Sequence, residues 1–342
     1  MIRALTWLLC TTTLATVGAC RQPSGSARSV DRPGSEVFAD RSAAKAWFRE
    51  AKYGVCVLLL GEGPSWNEQV DRFDVPAFAD QMSRAGAGYV LLTLGQNSGH
   101  YCAPNATYDR YTGYAAGERC STRDLPMELA DALGPRGIRL LLYCTSRAPQ
   151  NDAKARTGLA EGDDLIAAPA PQEFVRRWSD VIREWSVRYG PKLAGWWFDG
   201  AYSTGGWDDL TRTYNWRTWA EAARAGNPSC LLAFNKGTRV EDAFGKLTDE
   251  QDYTAGERNG FDLLPENAPP PPGLQWHLFA YLGEDWGKAG GPRQGDEWMV
   301  DYVRRVNEQG GVVTFDVCVV DGRVYEPHLR QLCAVRKSVR GD

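Results

Sequence analysis

Histidine is scarce in this 342-residue chain: three residues, His100, His277 and His328. They lack ligand spacing, and the nine cysteines form no Cys-x-x-Cys pair. A zinc hydrolase or a structural metal site is therefore not expected. Excess charge of one sign is also missing. Lys and Arg total 39 against 43 Asp and Glu, a formal net charge of −4. A nucleic-acid partner is not implied. No Gly-rich phosphate loop follows the first strand-like run, which argues against an open, doubly wound, dinucleotide-binding sheet. No internal repeat is visible.

Aromatic residues are plentiful, with 13 Trp and 14 Tyr. That suits a sugar-binding surface and a large aromatic core equally. The N-terminus is more specific. Arg3 gives a positive start, residues 4–17 are apolar apart from a few threonines, and Val17-Gly18-Ala19-Cys20 follows. A short apolar run with small residues before a cleavage point reads as an export signal, too short to span a membrane as a helix. Cysteine directly after Gly-Ala resembles the bacterial lipobox. It implies residues 1–19 as a lipoprotein signal peptide, Cys20 as the lipidated residue, and a membrane link through that lipid only. Arg21 after it favours the outer membrane. Residues 20–40, rich in Ser, Pro, Gly and Arg, read as a flexible tether. Cys56, Cys144, Cys230 and Cys318 lie in apolar runs and read as buried thiols. Cys102 and Cys120 flank a Gly/Tyr/Asn loop, and in an oxidising compartment they could pair.

From residue 41 onward, apolar strand-like runs alternate with amphipathic helices. Strands are expected at 53–60, 89–94, 138–144, 193–198, 230–235, 274–282 and 312–320. Helices are expected between them, among them 76–85, 125–133, 172–189, 207–225 and 296–309, with a closing helix over 327–339. The 172–189 stretch carries Phe174, Trp178, Val181, Ile182, Trp185 and Tyr189 on one face. Such alternation implies a parallel sheet, and about eight units imply an α/β fold of the (β/α)8 TIM-barrel type, one catalytic domain over 41–342.

The run Leu193-Ala194-Gly195-Trp196-Trp197-Phe198-Asp199-Gly200 begins as a strand buried on both faces and ends in a carboxylate and a glycine. Side chains just past a barrel strand's C-terminal end converge on the active site. With Tyr189-Gly190-Pro191 before it, the run resembles the nucleophile segment of glycoside hydrolase family 29, the retaining α-L-fucosidases. Further segments are similar in the same order: Trp47-Phe48 with Lys52-Tyr53-Gly54, Ala85-Gly86-Ala87-Gly88-Tyr89, Arg123-Asp124, and Gly310-Gly311-Val312-Val313 with Asp321-Gly322.

The resemblance implies Asp199 as nucleophile. It also implies a general acid/base in Thr254-Ala255-Gly256-Glu257, one residue longer than the family's Thr-Ala-Glu. Glu257 is the candidate, with Glu241 and Glu250 as fallbacks. Such a pair needs opposed roles, one carboxylate ionised to attack and one carboxyl protonated to release the leaving oxygen. The family's sugar-binding positions are rewritten. Its His after strand one is replaced by Leu58-Leu59-Leu60, its His-His pair by Gln96-Asn97, its Arg after strand five by Asn235-Lys236-Gly237, and the Glu of its Trp-Glu by His277. Tyr143 corresponds to a sugar-facing Tyr. The expected substrate-binding set is Gln96, Asn97, Tyr143, Trp197, Lys236, His277 and Trp66, with Trp196 and Trp286 as further stacking candidates. The expected function is a lipid-anchored retaining exo-glycosidase of α-L-fucosidase type, removing terminal α-L-fucosyl or related deoxy-sugar residues from a carbohydrate without a cofactor. The rival is a catalytically idle sugar-binding lipoprotein on the same barrel. Linkage and oligomeric state are not encoded in these motifs.

Overall fold

The computed structural model describes residues 41–164 and 168–341. The signal segment, Cys20 and the tether lie outside the described residues. Among the described residues no helix is long and apolar enough to cross a membrane.

Seven parallel strands form one curled sheet. They are β1 (Tyr53–Val57), β2 (Tyr89–Thr93), β3 (Arg139–Thr145), β4 (Leu193–Asp199), β5 (Leu231–Phe234), β6 (His277–Tyr281) and β7 (Val312–Val317), in the order β5-β4-β3-β2-β1-β7-β6. Nearly every strand residue is buried. Burial on both faces is what parallel strands flanked by helices require, and it explains why the runs read as continuously apolar rather than alternating.

A closed eight-stranded barrel is not formed; the sheet is a seven-stranded half-barrel. Residues 252–258 run where an eighth strand would lie between β5 and β6. The Asp252 N–H donates to Leu232 O (2.8 Å), and the Phe279 N–H donates to Gly256 O (2.8 Å). Regular pairing fails there for local reasons. The Leu232 N–H donates to the Asp252 side chain, and the Gly256 N–H turns away to Ala243 O. Gly256 itself sits at φ +68, and a Cβ there would lie 2.0 Å from His277 O. Only glycine fits that turn.

Two apolar layers sandwich the sheet. Helices cover the outside, with Phe174, Trp178, Val181, Ile182, Trp185 and Tyr189 of the helix Gln172–Tyr189 all buried, as the periodicity predicts. The expected helix over 207–225 is shorter, Trp216–Ala223. Asn215 forms a capping box with Thr218 and starts the helix there. Trp207 stays in the preceding loop, buried and stacked on Trp216.

Inside the curl, the aromatic rings stack in tiers. Phe48, from the helix Arg41–Ala51, plugs the N-terminal end against Tyr89 and Tyr253, with ring centroids 5.0 and 4.8 Å away. Gly54 leaves room for the Tyr89 ring, since a Cβ would lie 2.4 Å from it. Above this tier Tyr143 stacks on Trp197 (5.0 Å), Phe279 meets Trp197 edge-on (5.2 Å), and Trp286 covers Phe279 (4.8 Å).

Cys102 and Cys120 are buried free thiols, so the expected disulfide is not formed. Cys120 is in bridge register with Tyr101 rather than with Cys102. Adjacent residues of an extended segment point to opposite faces, so the two thiols diverge. Cys102 Sγ lies toward Thr93 O, 3.5 Å away. The loop is held instead by backbone bonds from the Tyr101 N–H to Arg119 O and from the Ser121 N–H to Tyr101 O.

Asp316, on β7, is a buried carboxyl. The Gly287 N–H donates to its Oδ2 (2.6 Å), while Oδ1 has no partner among the described residues. Burial, and more weakly Asp285, pushes its pKa up to about 8. A carboxyl with a folded pKa above its unfolded value favours the fold below the unfolded pKa. That contribution is lost as pH rises through the folded value. Asp316→Asn, neutral at every pH, should match wild type in melting temperature near pH 4 and exceed it at pH 9. Parallel melting curves for the two proteins would contradict this origin of the pH dependence.

Candidate active site

Asp199 closes β4, where the chain leaves the sheet and the next residue, Gly200, takes φ +74. The carboxylate is held from three sides. The Tyr143 O–H donates to Oδ2 at 2.5 Å, and the Gly200 N–H and Asn235 Nδ2 each donate to Oδ1 at 2.8 Å. Gln96 Nε2 donates in turn to the Tyr143 oxygen at 2.7 Å. These groups come from four consecutive positions on the sheet. Gln96 follows β2, Tyr143 is on β3, Asp199 ends β4 and Asn235 follows β5.

The second carboxyl comes from the irregular segment. Glu257 is bridged to Phe279 of β6, so the Gly256 turn aims it at the mouth of the curl. Asn235 Nδ2 donates to Glu257 Oε2 as well as to Asp199. The Gly237 N–H donates to Asn235 Oδ1 at 3.2 Å, which fixes the amide with its nitrogen toward both carboxyl groups. The reverse orientation would set the amide NH2 against the Gly237 N–H and its oxygen against Asp199 Oδ1. One nitrogen bonded to both groups keeps their nearest oxygens within two hydrogen-bond lengths, roughly 6 Å.

Burial pushes the Glu257 pKa up to about 8, the nearby charge of Asp199 adds to this, and the Asn235 hydrogen bond opposes it. Glu257 is therefore protonated at neutral pH. A carboxyl whose surroundings favour its protonated form is what a general acid requires. The Tyr143 phenol is held well above its ordinary range by burial and by Asp199, so it acts as a fixed donor rather than a base.

The other sequence-derived candidates divide clearly. Gln96 and Tyr143 join the network. Asn97 is half-buried beside it and lines a cavity that reaches Asp199. Trp197 is fully buried, stacked beneath Tyr143 with its indole N–H donating to Ala255 O (2.9 Å). It is the floor under the site, not a sugar contact. His277 is 1% exposed and both ring nitrogens are satisfied, by Thr254 O (3.0 Å) and Thr314 Oγ1 (2.6 Å). Burial lowers its pKa to about 4, and it is an interior residue. Trp66 is 2% exposed and donates to Tyr101 O, and Trp196 packs outward on Phe198 and donates to Ala223 O. Neither is available to a sugar. Trp286 is half-buried over Phe279 and Tyr281. Lys236 is exposed beside Asn235.

Both fallback acids are placed away from the pair. Glu250 is buried in an ion pair with Arg224 (3.0 Å), and Glu241 is exposed and paired with Arg239. Asn235 was missed by the sequence reading, which fixed on its cationic neighbour. Its position directly after an apolar strand was the available signal. Among the described residues no cluster of three His, Cys, Asp or Glu could hold a metal ion.

The sequence matches no protein-family model and no curated protein. Solved structures with the same fold are found at low identity. An endo-fucoidan hydrolase of glycoside hydrolase family 107 superposes with a TM-score of 0.69 at 18% identity, covering 89% of this chain and 55% of that one. A second family 107 endo-fucoidan hydrolase gives 0.64 at 14% identity, covering 85% and 92%. The alpha-L-fucosidase AlfC from Lactobacillus casei, in complex with its alpha-L-fucose product, gives 0.59 at 18% identity, covering 86% and 97%. This chain thus spans about half the length of the first of these and nearly all of the others.

Asn235→Ala should remove one donor shared by both carboxyl groups. Hydrogen bonds to charged groups contribute about 1.5–3 kcal/mol, so any turnover that depends on the carboxyl pair should fall roughly 10- to 100-fold. Folding, followed by far-UV circular dichroism, should be retained. Wild-type turnover in this variant would show that the shared amide does not organise the site.

Proposed function

We propose that this protein is a retaining glycoside hydrolase acting on α-L-fucosides, with Asp199 as nucleophile and Glu257 as general acid/base. The observation that carries the reading is the Asn235 amide, hydrogen-bonded to both carboxyl groups. It supports a separation near the 5–5.5 Å typical of retaining pairs, rather than the roughly 6.5–9.5 Å that leaves room for a water in inverting ones. The order of family 29 motifs along the chain supports fucose, as do the activities of the fucoidan hydrolase and alpha-L-fucosidase that share the fold. The rewritten positions Gln96 and Asn97 offer neutral amides to sugar hydroxyls where the family resemblance implies histidines. Val17-Gly18-Ala19-Cys20 supports export and lipid anchoring at Cys20.

In the first step an Asp199 oxygen attacks the anomeric carbon and the glycosidic C–O bond breaks. The departing oxygen takes the Glu257 proton, and a glycosyl ester forms on Asp199. The Tyr143, Gly200 and Asn235 donors fix the plane of the attacking group, so little reorganisation is needed. In the second step water attacks the same carbon and gives its proton to the Glu257 carboxylate. The ester bond breaks, and the sugar leaves with its original anomeric configuration.

Glu257→Ala should lose roughly 10²- to 10⁴-fold on poor leaving groups and far less on activated aryl α-L-fucosides. Azide should restore turnover through a glycosyl azide of retained configuration. In wild type, kcat/KM should fall as pH rises through about 8, because the acid that must donate loses its proton. Leaving-group-independent loss in Glu257→Ala would move the acid/base role elsewhere. Absence of turnover of any aryl glycoside, with sugar binding retained, would favour the binding protein on the same scaffold.

A further inference from the structure

The helix Arg41–Ala51 crosses the N-terminal end of the sheet, opposite the end that carries the two carboxyl groups. Lys45 Nζ donates to Gly273 O ahead of β6, and Trp47 lies against the starts of β3 and β4. Between this helix and the turns at 134–137 and 191–192 runs a groove of about 520 Å³. Trp47, Ile138, Arg139, Lys192, Asn227 and Ser229 are among its walls. The Arg139 guanidinium lies over the Trp47 ring, 4.4 Å from its centroid. Partial burial pulls its pKa below the ordinary range, and no carboxylate offsets this. Taking a charge out of water without a partner is costly, so such a group favours an anionic ligand.

The groove opens on a face of one charge. Arg49, Arg84, Arg305 and Lys337 are exposed in the last turns of the helices Arg41–Ala51, Val75–Ala85, Asp296–Glu308 and Glu326–Val339. The first three helices feed β1, β2 and β7. The fourth ends beside them, where Arg340 Nε donates to Gly86 O (2.7 Å). None of the four last-turn cations has a carboxylate partner among the described residues. Lys45 and Lys52 donate to carbonyl oxygens. Acids of the same end are matched, Asp80 with Arg136 (2.6 Å), Asp131 with Lys192, and Glu308 with Arg304 (3.7 Å). Glu50 and Glu266 remain unmatched. The helix dipole favours cations in last turns and accounts for those four. It does not account for Arg139, which opens a strand.

We propose that this N-terminal face docks on an anionic lipid surface, with a headgroup phosphate held by Arg139 in the groove. A guanidinium matches phosphate geometry. The half-buried Trp47 ring suits the boundary between headgroups and chains. The surrounding cations are drawn to the negative surface potential of such a membrane. The chain itself brings the two together. The stretch that follows Cys20 joins this same helix at Arg41, and about twenty residues reach at most roughly 70 Å. The inference rests on the lipid-anchoring reading of Cys20 and is independent of the hydrolase reading. Docked in this way, the protein turns the Asp199 and Glu257 end of the sheet away from the lipid.

The test is flotation with vesicles of phosphatidylcholine, alone or mixed with phosphatidylglycerol. The full chain carries Cys20→Ser, so that acylation does not itself cause binding. It should bind the mixed vesicles, prefer them to phosphatidylcholine, and be released by high salt. Each cation near an anionic surface contributes roughly fivefold in partitioning. Adding Arg139→Gln should therefore weaken binding about fivefold, and adding Arg49→Gln, Arg84→Gln and Lys337→Gln together about 100-fold. Arg110→Gln, Arg212→Gln and Arg323→Gln remove three cations from segments that follow the strands. That triple variant should stay within about twofold of its parent. All variants keep the same N-terminal segment, so differences between them belong to the face, and far-UV circular dichroism checks their folding. Equal losses in the two triple variants, no preference for the mixed vesicles, or unchanged binding of Arg139→Gln would overturn the proposal. Calorimetric binding of free glycerol phosphate without vesicle binding would overturn it too, leaving a small-anion site. A wild-type intact mass without acyl chains would sink the anchoring reading alone, and the vesicle measurements would still decide the face.

Discussion

The Asn235 amide, shared between Asp199 and Glu257, is the interaction on which the site depends. Two carboxyl groups this close cannot both ionise cheaply, and the protein resolves the conflict by environment. Asp199 receives three donors, including the Tyr143 hydroxyl and the Gly200 amide. Glu257 receives one, and lies in a buried segment where charge is costly. The division of labour proposed for the pair follows from that inequality of donors. Asn235, held by the Gly237 N–H, sets it.

The fold supplies this inequality through packing. Tiers of aromatic rings fill the curl of the sheet around the buried Tyr89, Thr314 and His277 hydrogen bonds, and the two carboxyl groups stand at its C-terminal end. Trp197 supports Tyr143 from below, and Tyr143 supports Asp199. The gap between β5 and β6 contributes as well. A regular strand there would carry its side chains in strict alternation, whereas the Gly256 turn departs from it and points Glu257 toward Asn235. The departure from a closed barrel and the placement of Glu257 are thus one structural event.

Much of this was legible in the sequence. Apolar runs buried on both faces announce parallel strands, and the periodicity of the helix Gln172–Tyr189 marks its buried face correctly. Asp199 was readable as a candidate because a carboxylate and glycine close an apolar run where a strand leaves the sheet. Glu257 was readable through its motif, and the extra glycine that disturbed the match is the residue that turns the chain. Where sequence reasoning failed, side-chain direction was the missing quantity. His277, Trp66 and Trp197 sit near the right strands but point into packed interior. Cys102 and Cys120 are neighbours whose side chains diverge. Asn235 was overlooked beside a lysine because charge is conspicuous in a sequence, while hydrogen-bond geometry is visible only in three dimensions.

The central claim, that Asp199 becomes covalently bonded to the sugar, is tested most directly by mass spectrometry of the protein after reaction with 2-deoxy-2-fluoro-α-L-fucosyl fluoride. The account predicts one added fluorofucosyl mass, located by peptide mapping on Asp199 and absent from Asp199→Gly. An unmodified protein that nonetheless hydrolyses fucosides, or an adduct on any other residue, would contradict it.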